Sequence, residues 1–177
     1  MVSLPTATQT GRQIQAFYAA HATVILIQQV LGIVVLGFLL AFAMALGARR
    51  RRWLLVGTVA LAITELATNI PPVILAVANL GPDGAHALTV VEDVADGALF
   101  ASIAVFSVAA TMGQVAWVRV AGFVVAALSL LHLVMTPLGV HALDVVAPTA
   151  FLVLALTLSI RLLMGRSTSR STGAAAR

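Results

Sequence analysis

Residues 49–80 read "RRRRWLLVGTVALAITELATNIPPVILAVANL": four arginines, then a run that is almost wholly apolar. At about 1.5 Å per residue, the run from Trp53 to Leu80 is long enough for a helix to cross roughly 30 Å of hydrocarbon. The arginines mark one end, because short arginine-rich loops stay on the cytoplasmic side of a membrane. Glu65, Asn69, Pro71 and Pro72 break the apolar pattern, and their purpose is the functional question the stretch raises.

The same pattern repeats along the chain. Spans are predicted at about 22–46, 53–80, 88–112, 118–138 and 143–164. Of the 177 residues 61% are hydrophobic and 9% charged, against about 25% charged in a soluble domain. Mean hydropathy is +1.08. The fold class that follows is all-α, a polytopic transmembrane bundle of five helices. All ten basic residues are arginine, mostly beside apolar runs, so the net charge of +4 reads as a topology signal and nucleic acid is excluded as a partner. With no cysteine, disulfides, thiolate metal sites and iron–sulfur clusters are excluded; with no lysine, so is Schiff-base chemistry.

Arg49, Arg50, Arg51 and Arg52 serve as topology anchors and place the first loop inside. The N-terminus is then outside, "GPDGAH" (81–86) outside, Arg119 inside, "PLGVHALD" (137–144) outside and the C-terminus cytoplasmic. The tail, with Arg161, Arg166, Arg170 and Arg177, agrees independently. A signal peptide would carry its charge ahead of a shorter apolar stretch, so the first span is retained. Residues 1–21 are expected to form an amphipathic lead-in at the outer interface, with Phe17 and Tyr18 as headgroup anchors. Residues 165–177 are expected to be a disordered cytoplasmic tail. The localisation that follows is a bacterial cytoplasmic membrane, with the lipid bilayer as partner and a small ligand or another membrane protein as further candidates.

Depth along each span locates the polar groups. Glu65 lies roughly 20 Å beyond Arg52, and Asn69 about 6 Å further on the same helical face. The two prolines remove backbone donors and are expected to kink the helix there. "VVEDVADG" puts Glu92, Asp93 and Asp96 in the outer third of the third span, and the fourth carries Ser129, His132 and Thr136 on one face. Gln28 and Gln29 lie in the outer half of the first span, while the inner halves are apolar. A charge at a helix centre costs about 2.5–3.5 kcal/mol on insertion scales, so such residues face a bundle interior or a wet cavity. The pattern predicts a polar pocket open to the outside, lined by Gln28, Glu65, Asn69, Asp93, Asp96 and His132.

Several chemistries compete for these residues. Glu65 and Asn69 read either as interhelical glue, bonding to Gln28 or His132, or as a proton- or ligand-binding site. The Glu92, Asp93 and Asp96 trio reads as a solvated rim, or with His86, His132 or His141 as a metal site, for which no tight ligand spacing speaks. A bis-histidine haem lacks a partner for His132 at matching depth. No GxSxG, Walker, GxGxxG or HExxH motif occurs, and no cofactor or metal is implied. The leading expectation is a non-enzymatic accessory, sensory or transport-related protein whose outward pocket takes a small solute, cation or proton. The alternatives are an intramembrane acid–base enzyme acting on an isoprenoid or lipid, with Glu65 or Asp96 as donor and His132 as partner, and a structural subunit that pairs with another membrane protein.

The second half, "VEDVADGALFASIAVFSVAA" followed by "AWVRVAGFVVAALSLL", resembles small integral membrane proteins of actinobacterial type. There an acidic, small-residue helix leads into a turn with a Trp and a basic residue, here Trp117 and Arg119. The resemblance implies no activity and assigns no functional residue.

Overall fold

In a computed structural model the chain folds as α1 (Gly11–Ala45), α2 (Arg52–Val77), α3 (Pro82–Thr111), α4 (Ala116–Met135), a 3-10 turn (Thr136–Leu138) and α5 (Leu143–Ala174). The structure describes residues 4–47, 51–138, 140 and 142–174, with the backbone alone for 137 and 165–174. Among the described residues there is no strand. Five helices are long and apolar enough to cross a membrane, the last over Leu143–Met164. Arg49, Arg50 and His141 lie outside the described residues.

Helix ends follow local chemistry more than the hydrocarbon boundary. α1 begins at Gly11, well before the predicted span start at 22, because Thr10 and Gln13 form a capping box. The Thr10 N–H and hydroxyl both donate to Gln13 Oε1 at 2.9 Å, and the Gln13 N–H donates back to Thr10 Oγ1 at 3.4 Å. α3 likewise starts at Pro82 and not at 88: proline suits the first helical position, and Asp83 follows in the first turn. After α1 and after α3 the chain turns at Gly47 (φ +88°) and Gly113 (φ +83°), a conformation other residues rarely take. α2 stays helical through Pro71 and Pro72 to Val77. α5 continues as helix to Ala174, where the sequence predicted a disordered tail from 165.

The chain divides into two compact units: Met1–Leu40 with Val59–Ser102, and Ala41–Thr58 with Ile103–Arg177. In the first unit, Ile14, Tyr18 and Ile25 of α1 pack with Leu75 of α2 and Ala85 of α3, flanked by Leu4, Phe17 and Leu88. Tyr18 is therefore a core residue at 1% exposure, not the headgroup anchor the sequence predicted. The spacing 14, 18, 25 is the one-faced helical stripe that explains it.

In the second unit α4 turns a single face inward, comprising Val118, Gly122, Val125, Ala126, Ser129 and His132. Phe106 of α3 meets Phe151 of α5 edge-on, with ring centroids 6.0 Å apart. Backbones approach closely at glycines, as expected where van der Waals packing replaces the hydrophobic effect. A Cβ on Gly57 would lie 3.0 Å from Phe106 Cα, and one on Gly122 would collide with the Thr111 side chain and the Ser107 carbonyl. The Arg51 guanidinium donates to the Met112 carbonyl just past the end of α3, a favourable place for a cation. Arg161 stacks 5.7 Å from the Trp117 ring.

Large apolar side chains stay on the outside of this structure, among them Phe38 at 73% and Val145 at 74% exposure. In water such a surface would aggregate; facing lipid it costs nothing.

Gly122→Ala is expected to destabilise the protein by about 1–3 kcal/mol through overpacking against Thr111 and Ser107. Gly37→Ala, where a Cβ meets nothing within 4 Å, should leave the melting temperature in detergent unchanged or slightly raised.

Candidate functional site

Glu65 and Asn69 sit one turn apart on α2 in the first unit. Asn69 Nδ2 donates to the Glu65 carbonyl at 2.7 Å and to Glu65 Oε1 at 3.3 Å, and the Thr68 hydroxyl donates to the same carbonyl at 2.8 Å. The carboxamide is 7% exposed, and its Oδ1 has no hydrogen-bond partner among the described residues. α1 approaches at Gly32, where a Cβ would lie 3.0 Å from Asn69 Oδ1 and 3.6 Å from Glu65 Oε1. The glycine thus makes room for the polar pair, a role the sequence reading did not assign. Gln28, one turn away on α1, is half-buried.

The acidic stretch of α3 splits by helical face. Glu92 is 8% exposed and follows Ala85 and Thr89 on the buried stripe, while Asp93 is exposed and Asp96 half-buried. The solvated-rim reading therefore does not describe Glu92. The Tyr18 hydroxyl donates to Glu92 Oε2 at 3.4 Å, which ties α1 to α3. Asp93 Oδ2 accepts the Ala7 N–H at 2.9 Å and so holds the chain ahead of α1. Asp96 is within electrostatic reach of both Glu65 and Glu92. The first unit accordingly gathers Glu65, Asn69, Glu92 and Asp96.

His132 belongs to the second unit. Its Nδ1 is 3.5 Å from Asp144 Oδ1, which links α4 to the start of α5, and the Thr136 hydroxyl lies 3.4 Å from Nε2. Among the described residues no group of three or more His, Cys, Asp or Glu side chains is arranged to hold a metal ion.

Described residues of the first unit line two hollows, one larger than the other. The smaller, about 340 Å³, is an apolar groove along α1 and α2 lined by Leu26, Val30, Ile33, Leu66, Ile70 and Val73, with Gln29 and Asn69 as its polar members. The larger, about 590 Å³, lies where the first turns of α1 meet the C-terminal end of α2. Arg12, Gln15 and Tyr18 line it from α1, Leu75 to Leu80 from α2 and the loop beyond, and Ala85 from α3. Its volume falls in the range of small-molecule sites. Gln15 Nε2 donates to the Leu80 carbonyl at 2.9 Å and fixes one wall. Of the predicted pocket residues, Asn69 lines the groove and none lines the larger cavity. Arg12, Gln15 and Asn79 were missed because each reads as an interfacial polar residue until the capping box and the end of α2 bring them together.

Comparison with protein families, with curated proteins and with solved structures found no match.

Pairing Glu65→Ala with Asn69→Ala in a double-mutant cycle should give a coupling energy of about 0.5–1.5 kcal/mol, the range for polar side-chain bonds within membranes. The cycle is read from unfolding in mixed micelles, and full additivity would show that the pair is not bonded.

Proposed function

We propose that this chain is a multi-pass protein of a bacterial cytoplasmic membrane whose first unit binds a small solute from the outer side. Its role is non-enzymatic: accessory, sensory or transport-related. The observation that carries this reading is the cavity of about 590 Å³ between the start of α1 and the end of α2. It combines a cation, amides, a tyrosine and an alanine-rich floor, the mixture of few polar groups on an apolar lining that small-molecule sites share.

The orientation rests on charge. Every arginine except Arg12 falls in the second unit, and every carboxylate except Asp144 falls in the first. Arginine-rich loops remain cytoplasmic, so the N-terminus and the α2–α3 connection face out. The arginine contacts within the second unit, Arg51 at the end of α3 and Arg161 over Trp117 at the start of α4, are those of an interfacial collar.

Two outcomes check the proposal. The chain has no cysteine, so single-cysteine variants report cleanly. Asp83→Cys should react with a membrane-impermeant maleimide in intact cells, and Ser167→Cys only after permeabilisation; the reverse pattern inverts the topology. Ala19→Phe, which fills the cavity from an exposed position on α1, should abolish ligand-induced thermal shifts in a solute screen in nanodiscs while leaving the melting temperature of the free protein unchanged. A screen whose positive solutes are indifferent to Ala19→Phe refutes the site.

A further inference from the structure

The charge around the large cavity is opposite to the charge of the unit that contains it. The first unit holds Glu65, Asp83, Glu92, Asp93 and Asp96 against a single arginine, Arg12. That arginine lines the cavity, and none of the five carboxylates does. Arg12 is exposed, and among the described residues it is in no ion pair. A guanidinium with five donors and no acidic partner is a receptor for a carboxylate or a phosphate.

The facing wall has the opposite character. α2 ends at Val77, and Val77, Ala78, Asn79 and Leu80 all line the cavity. The last carbonyls of a helix lack intrahelical partners and carry the negative end of its dipole, so they favour a cation or an N–H donor. In the loop beyond the helix, the Leu80 carbonyl accepts the Gln15 amide and the Ala78 carbonyl accepts the Leu80 N–H. Between the two walls lie Ala16, Ala19, Leu75, Ala76 and Ala85 with Tyr18, an apolar floor made roomy by small side chains.

Resting on the solute-binding reading above, we infer that the ligand is a small zwitterion. Its anionic group pairs with Arg12, its ammonium faces the C-terminal end of α2, and a compact apolar body lies on the alanine-rich floor. An anion alone would leave the negative end of the α2 dipole without a cation inside an acidic unit. A cation alone would leave the Arg12 guanidinium in the cavity lining without an anion. A free amino acid and the ethanolamine phosphate headgroup of a lipid both present an ammonium a few bonds from an anion; the first adds an apolar side chain for the floor, the second only its two methylenes.

The test uses the full chain in nanodiscs built only from anionic phosphatidylglycerol, with binding of four probes followed by calorimetry. The probes are leucine, N-acetylleucine (anion only), leucinamide (cation only) and glycerophosphoethanolamine. Leucine or glycerophosphoethanolamine should bind at least about tenfold more tightly than either singly charged probe. Whichever of the two binds more tightly identifies the source as free solute or lipid headgroup. Arg12→Gln should weaken that zwitterion by about tenfold or more, and Arg12→Lys should recover part of the loss. Equal binding of N-acetylleucine, or of leucinamide, with both sensitive to Ala19→Phe, would overturn the zwitterion and leave the cavity as a solute site. Binding of no probe in a form sensitive to Ala19→Phe, in a protein that a wider screen also finds unresponsive to cavity filling, would overturn both.

Discussion

Polar groups carried into hydrocarbon must be satisfied from within the chain, and in this protein the backbone one turn back does most of that work. Thr58, Thr64, Thr89, Ser102, Thr111, Ser129, Thr157 and Ser159 each donate a hydroxyl to the carbonyl four residues earlier. In water this bond competes weakly with solvent and bends helices. In a bilayer it removes an unsatisfied donor without calling on another helix. The helices therefore tolerate hydroxyls at depth, and their packing is free to be decided by shape.

Shape is then set by small residues. Gly57 rests on the backbone of Phe106, and Gly122 on Thr111 and Ser107, places where a methyl group would force helices apart. The hydroxyl that bonds locally at Thr111 is also the side chain against which Gly122 packs. Local satisfaction and close approach are thus properties of the same residues. The exception is instructive: Ser107 Oγ and Asn69 Oδ1 are buried with no partner among the described residues, and each lies in a segment that a glycine contacts. At Asn69 the amide N–H groups go to Glu65, which leaves the oxygen facing Gly32.

Hydropathy makes the five helices legible because a span is a long, averaged signal that single polar residues do not erase. Their ends are less legible, because a helix does not stop where hydrocarbon does: the capping box at Thr10 and Gln13 and the proline at position 82 start α1 and α3 well ahead of their apolar cores. Depth reasoning groups Glu65, Asn69 and Asp96 with His132; the first three fall in the first unit and His132 in the second, a division that depth along a helix does not reveal. It does not separate Glu92 from Asp93, one buried and one exposed, because that difference is angular and depends on which face of α3 the rest of the unit covers. Tyr18 illustrates the same gap: an aromatic at a span edge suggests an interface, while its register with Ile14 and Ile25 puts it in the core.

The cavity's position at helix ends follows from the same constraint. Within the spans, apart from Asn69 Oδ1 and Ser107 Oγ, polar groups are drawn into bonds with the chain itself: Glu65 to Asn69, Glu92 to Tyr18, and most threonine and serine hydroxyls to the backbone one turn back. A solute gains little from groups already committed. At the end of α2 the last carbonyls have no helical donors, and in the first turn of α1 Arg12 has no counter-ion among the described residues. The solute site proposed above lies where helix geometry stops supplying partners. Of the carboxylates that stand out in the sequence, Glu92 ties α1 to α3 through Tyr18, while Glu65 bonds within α2.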